Sequence, residues 1–225
     1  MATTFRRVYV WERPVRLYHW VNALSVTLLV CTGLLIGNPP TFLTSREAWT
    51  SQWFGTVRFL HFSAAYVFVF AFLLRVYWML VGNEHARWFN FLPVTPRLLR
   101  GQAQEVGRVL RSDILLIETR PYERVGHNAL AAWSYALVFA ATIFQTMTGF
   151  GLYAPMSGAW LPTLFAWIVP LLGGDANVRQ WHHAASWFFV AFTLVHVYLT
   201  VYHDTVEGRG EISSMVSGTK FLPVK

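Results

Sequence analysis

The stretch that decides the fold is W-H-H-A-A-S-W-F-F-V-A-F-T-L-V-H-V-Y-L-T-V-Y, residues 181–202. It has the length and apolar character of a helix crossing a bilayer, which needs about 20 such residues. It also carries His182 and His196. A histidine in a lipid-spanning helix is expensive and marks a functional site by default. Fourteen residues of helix span about 21 Å and return to within about 40° of the same face. The two rings therefore look into one bundle interior at two depths. His183, thirteen residues from His196, lies well off that face and reads as a supporting or interfacial residue.

Three more stretches have the same character, residues 17–36, 59–81 and 129–150. A fifth, residues 159–172, is shorter and contains Pro162 and Pro170. Runs of that length are more often interfacial or re-entrant, so it is placed outside as a cap. The composition agrees with an integral membrane protein: 55% of the 225 residues are hydrophobic, 17% aromatic and 13% charged, where a soluble domain carries about 25% charge. The expected fold is all-α, a transmembrane four-helix bundle in one domain, residues 1–225, with the loop 82–127 on one side.

The basic residues set the orientation. Arg6, Arg7, Arg13 and Arg16 precede the first span. Arg87, Arg97, Arg100, Arg108, Arg111, Arg120 and Arg124 lie in the central loop. Arg209, Lys220 and Lys225 follow the last span. The opposite loops hold Arg46, Arg58 and Arg179. Fourteen against three predicts cytoplasmic N- and C-termini and a cytoplasmic central loop. The same parity disfavours a fifth span. The net charge of +7 sits beside apolar spans, so a membrane surface explains it better than nucleic acid. Within the loop, Pro96 opens a basic amphipathic pattern. Leu98, Leu99, Val106, Val109, Leu110 and Ile114 alternate with arginines, which suits an anionic leaflet; the alternative is an arginine-rich linker packed on a partner. The first span has basic flanks but no small-residue cleavage site after it, so it reads as retained rather than as a secretory signal.

The remaining histidines complete two tiers. His19 opens the first span and His61 stands near the start of the second. With alternating spans, His19 shares a depth near the cytoplasmic side with His196, and His61 shares the outer depth with His182. Two facing pairs on separate helices point to bis-histidine ligation of two haem groups. A structural zinc site is a weaker rival, because it wants four ligands close together. No C-x-x-C-H occurs, so haem is not attached in the c-type manner, and the single Cys31 rules out a cysteine-ligated iron–sulfur cluster. Cys31 is expected to be a small buried apolar residue. His203 and His127 are alternatives for the cytoplasmic-side pair, or hydrogen-bond partners for haem propionates or a quinone; His85 reads as a loop residue. Arg75, in the second span, either pairs with a propionate or snorkels to the headgroups, with snorkelling favoured. The tryptophans read as an interfacial belt.

Thr32-Gly33-Leu34-Leu35 near the end of the first span is echoed by Thr148-Gly149-Phe150-Gly151 at the end of the third. Glycine there allows close approach of a helix or a flat cofactor, and ordinary helix packing explains it equally well. The G-x-G-x-x-A pattern at 149–154 lacks a surrounding β–α–β unit and is rejected as a dinucleotide site.

V-W-E-R-P-V-R-L-Y-H-W at 10–20, R-F-L-H-F-S-A at 58–64 and R-V-Y-W-M-L-V-G-N at 75–83 open a series of motifs. G-H-N at 126–128, T-G-F-G-L-Y at 148–153, W-H-H through H-V-Y at 181–198 and I-S-S-M-V-S-G at 212–218 continue it in order. Together they resemble the cytochrome b subunit of membrane-bound uptake nickel–iron hydrogenases. The resemblance covers nearly the whole chain. It implies a multi-pass protein of the bacterial inner membrane, a four-helix bundle holding haem b, with His19, His61, His182 and His196 on the ligand positions. The second histidine at 183 is a departure. It implies as partner the hydrogenase small subunit, with its iron–sulfur chain and C-terminal membrane helix, and through it the large subunit. The implied role is to anchor the periplasmic hydrogenase and pass electrons from hydrogen to membrane quinone, with no hydrogenase activity alone. The rival readings are a cytochrome b serving formate dehydrogenase or thiosulfate reductase, a stand-alone superoxide or quinone oxidoreductase, and a haem-free anchor or transporter.

Overall fold

A computed structural model describes residues 5–41, 52–88, 96–111, 117, 129–206, 208 and 210–223. The chain is mostly helical. Strand β1 (Phe5–Tyr9) leads into α1 (Arg13–Gly37), followed by α2 (Trp53–Val81), α3 (Pro96–Val109) and α4 (Ala129–Tyr153). Two short helices, α5 (Trp160–Thr163) and α6 (Ile168–Leu171), precede α7 (Asp175–Thr205). Helix α8 (Glu211–Ser217) and strand β2 (Thr219–Pro223) end the described chain.

Helices α1, α2, α4 and α7 are the four expected spans. Each contains a window of mean hydropathy 1.4 to 2.0 of which only 6 to 22% is buried. Apolar surface so widely exposed is what lipid, not water, covers. The helices run beyond the apolar stretches: α7 begins at Asp175 rather than near 181 and takes in the Arg179–Asp175 ion pair at 2.6 Å. The proline-bearing run at 159–172 breaks into α5 and α6, neither long enough to cross. Cys31 is exposed, not buried as expected; on a lipid-facing helix a small apolar side chain needs no protein cover.

The chain forms two compact units. One comprises residues 1–17, 74–139 and 198–225. Here β1 and β2 pair antiparallel, Phe5 opposite Pro223 through Tyr9 opposite Thr219, a ribbon that an all-α reading omits. Gly218 turns α8 into β2 with φ +86°, and a Cβ there would lie 2.7 Å from the Trp11 carbonyl, so the position requires glycine. Its carbonyl accepts the N–H groups of Val10 and Trp11, and the Trp11 indole donates to Ser214. The Glu12 carboxylate accepts from the Trp78 indole and the Asn83 N–H, both at 2.8 Å, while the Asn83 amide donates to the Val10 carbonyl. The chain ends are thereby tied to the turn after α2. Glu105 of α3 accepts the N–H of Ala129, holding that helix to the start of α4.

Arg75 departs from the snorkelling expectation. It is 2% exposed, donates from both terminal nitrogens to the Ala86 carbonyl and lies 5.1 Å from the Tyr135 ring centre. The turn at Gly82 folds a carbonyl back over the helix, so the guanidinium is satisfied without reaching the headgroups.

The other unit comprises residues 18–73 and 140–197. Segments of all four long helices pack within it. Phe62 of α2 stacks on Tyr153 of α4 at 4.1 Å, and Phe68 of α2 meets Phe189 of α7 edge-on at 6.5 Å. Gly151 lets α6 settle against α4: a Cβ there would lie 3.0 Å from the Phe165 carbonyl and overlap Ile168.

Candidate functional site

All four predicted histidines fall in that second unit. His19 and His196, from α1 and α7, bring their ring centres to 6.2 Å with planes 58° apart. His196 stacks on Phe192 one turn earlier, 5.6 Å away and 9° from parallel, and the Trp20 ring meets His19 edge-on at 5.1 Å. The Nδ1 atom of His19 is buried and has no hydrogen-bond partner among the described residues.

His61 of α2 and His182 of α7 line one cavity of about 720 Å³ with Gly33, Gly149, Arg58 and Phe189. Each ring is held by a threonine from a neighbouring helix. Thr32 Oγ1 of α1 lies 2.9 Å from His61 Nδ1, and Thr148 Oγ1 of α4 lies 2.9 Å from His182 Nδ1. The glycine after each threonine sits against the same ring. A Cβ on Gly33 would stand 3.4 Å from His61 Cε1, and one on Gly149 would stand 3.0 Å from His182 Cε1. The Thr-Gly echo visible in the sequence is thus a repeated contact to the two histidines. Its threonines were legible as a repeat, but their partners depend on which helices adjoin.

The competing histidines separate. His183 lines the same cavity, but its Nε2 accepts the Trp187 indole N–H at 3.3 Å. Indole nitrogen is a donor only, so that imidazole lone pair is engaged. His203 is buried in the first unit, edge-on to Tyr202. His85 stands in the turn after α2, its N–H bonded to Asn83. His127 lies outside the described residues, as do Arg120, Arg124, Arg209 and Lys225. Arg58, counted in the sequence only as a loop charge, stands one turn before His61 and lines the cavity. Its guanidinium meets Met156 Sδ at 2.7 Å and lies 5.7 Å from the centre of the Phe62 ring.

The arrangement is compatible with a flat, bis-imidazole-ligated group. Metal–imidazole bonds are about 2.0–2.1 Å and a ring nitrogen lies roughly 1.1 Å from its ring centre, so two imidazoles on opposite sides of one metal would have centres about 6.2–6.4 Å apart. The His19–His196 separation of 6.2 Å has that value. The second pair opens on a cavity within the usual range for bound cofactors, about 300–1,000 Å³. Among the described residues no cluster of three or more histidine, cysteine or acidic groups could hold a bare ion. Paired histidines suit a metal that brings its remaining ligands with it.

Residues 10–218 match the family model described as prokaryotic cytochrome b561. The chain belongs to the prokaryotic cytochrome b561 family. Membership implies b-type haem, which the paired histidines fit. A protein of Cupriavidus necator named "Probable Ni/Fe-hydrogenase B-type cytochrome subunit" is 40% identical over 218 residues, covering 96% of this chain and 87% of its own length. A protein of the same name from Azotobacter vinelandii is 42% identical over 219 residues, covering 96% and 89%. The "Probable Ni/Fe-hydrogenase 1 B-type cytochrome subunit" of Escherichia coli (strain K12) is 33% identical over 214 residues, covering 93% and 89%.

Proposed function

We propose that this chain is the di-haem b subunit that links a membrane-bound nickel–iron hydrogenase to membrane quinone. The observation that carries the reading is the grouping of four histidines, in two pairs, within one compact unit built from four membrane-length helices. His19 with His196 would hold one haem and His61 with His182 the other. Along continuous α7 the tiers stand about 21 Å apart, so the two groups would sit under opposite leaflets. When bound, they would supply reversible one-electron carriage across the membrane. The protein's own residues set the depth of each ligand, orient the rings and exclude water. Arg58, at the cavity wall, is placed to receive an acidic substituent of the group bound there.

The hydrogenase link rests on the names of the relatives, and the sequence resemblance supports it. The partner is the hydrogenase small subunit on the periplasmic side, and through it the large subunit. The excess of arginine in the termini and central loop supports cytoplasmic termini in a bacterial inner membrane. Helix α3, basic and amphipathic in sequence, would lie along the cytoplasmic leaflet. On this reading hydrogen is activated in the partner's large subunit, and the chain alone would have no hydrogenase activity.

The test is a reduced-minus-oxidised spectrum of the purified protein with iron counted per polypeptide. Two b-type haems per chain, with a nickel-containing large subunit co-purifying from native membranes, are expected. No b-type bands would end the electron-relay reading, and one haem per chain would end the di-haem reading. Two haems with a nickel-free partner would transfer the chain to another quinone-linked complex, of the formate dehydrogenase or thiosulfate reductase kind.

A further inference from the structure

We infer that Thr32-Gly33 and Thr148-Gly149 form a matched pair of positioning clamps that fix the His61 and His182 rings as Nδ1–H tautomers with Nε2 directed to the ligated metal. This deepens the proposed function and rests on His61 and His182 being a ligand pair.

The argument begins with a hydroxyl's single proton. Thr32 Oγ1 lies 2.6 Å from the Leu28 carbonyl, and Thr148 Oγ1 lies 2.8 Å from the Phe144 carbonyl, each four residues back on its own helix. A threonine in a helix donates to that carbonyl. With its proton committed there, each oxygen is left to accept, and the group it faces at 2.9 Å is a histidine Nδ1. The imidazole is therefore the donor. A neutral imidazole that donates from Nδ1 carries its lone pair on Nε2. A metal-bound histidine depends on just such a partner at its other nitrogen, which fixes the tautomer and raises the basicity of the ligand.

Glycine supplies the second half of each clamp. The ring edge bearing Cε1 rests 3.0 to 3.4 Å from where a Cβ would stand. A Cβ at Gly149 would crowd the His182 ring, whereas one at Gly33 would meet His61 at the edge of ordinary contact. The two clamps come from different helices, α1 and α4, and hold rings on α2 and α7. Two helix pairs sharing no residue thus repeat one Thr-Gly-to-histidine geometry. Helix packing alone asks for the glycine but not for the hydroxyl. At the other pair, His19 Nδ1 has no hydrogen-bond partner among the described residues.

The test uses the full-length chain in native membranes, with T32V, T148V, the double variant and the matching T32S and T148S. Reduction potentials of both haems and the low-spin ferric electron paramagnetic resonance spectrum are read. Losing the acceptor makes the imidazole a weaker electron donor and favours the ferrous state. The valine variants should raise the potential of one haem only. In the double variant the shift should approach tenfold in the oxidised-to-reduced ratio, about 59 mV for one electron. Serine should restore both the potential and the spectrum.

Valine variants that keep both haems with unchanged potential and spectrum would overturn the clamp, and so would serine variants displaced as far as valine. If valine strips the haem altogether, alanine and serine decide. Serine holding haem at the wild-type potential while alanine does not supports the clamp; equal loss in both overturns it. Failure of the underlying reading looks different: replacing His61 or His182 would then leave both haems in place.

Discussion

The two histidine pairs are built by different means. His61 and His182 are each gripped by a hydroxyl at 2.9 Å and a bare glycine backbone. His19 and His196 are held by rings, His196 lying flat on Phe192 and His19 meeting Trp20 edge-on. A hydrogen bond fixes both the position and the tautomer of an imidazole. A stacked ring fixes its plane. On the proposed function, the first pair is a ligand set organised before any cofactor arrives.

The contrast breaks most directly at the ligands themselves. Replacing His61 or His182 with alanine should lower haem from two to one per chain and spare the other site. Replacing His19 or His196 should do the converse. The pyridine haemochrome content of each variant, with its spectrum, measures this. Loss of both haems from every variant would mean that the tiers are one cooperative site and not two.

A smaller effect separates the two halves of the clamp. Alanine at Gly149 would bring a Cβ to 3.0 Å from the His182 ring, and alanine at Gly33 to 3.4 Å from His61. Overpacking a tight contact costs about 1–3 kcal/mol, and about 1.4 kcal/mol is tenfold in affinity. G149A should therefore release its haem roughly tenfold more readily in a detergent challenge, and G33A by only a few-fold. A larger defect in G33A would show that these distances do not govern the site.

Much of this frame is legible in the chain before folding, and the misses have physical causes. The four spans are visible because lipid demands continuous apolar length. Their ends are not, because a helix continues as far as backbone bonding and caps allow, and Asp175 with Arg179 carries α7 beyond the hydrocarbon. The approach of His19 to His196 follows from the alternating direction of the spans, which puts both rings at one depth. The grip of Thr148 on His182 needs to know which helices adjoin, and no spacing within one helix reports that. The β1–β2 ribbon joins segments more than 200 residues apart and leaves no local trace in either. The burial of Arg75 is not legible in the sequence, because the turn returning the Ala86 carbonyl to it has no hydropathy signature.

The ring-held pair offers a third test. Stacked aromatic pairs contribute about 0.5–1.5 kcal/mol beyond their buried area. F192A should free the His196 ring and speed loss of the haem held with His19 by a few-fold, with the His61/His182 haem unchanged. Equal loss from both sites would remove the distinction between ring-held and hydroxyl-held ligands.

The smallest expected effect is the most discriminating. His183 stands beside His182 on α7 and lines the same cavity, so proximity alone would nominate it as a ligand. Its Nε2, however, accepts the Trp187 indole N–H, whereas the described contact of His182 is at Nδ1, with Thr148. H183Q keeps a group able to accept from Trp187 and should preserve both haems, both potentials and the ferric spectrum. If H183Q instead removed the haem that H182A is expected to remove, while H182A kept it, the ligand on α7 would be reassigned by one residue. The Thr148 contact would then belong to packing, because it would hold a ring that binds nothing.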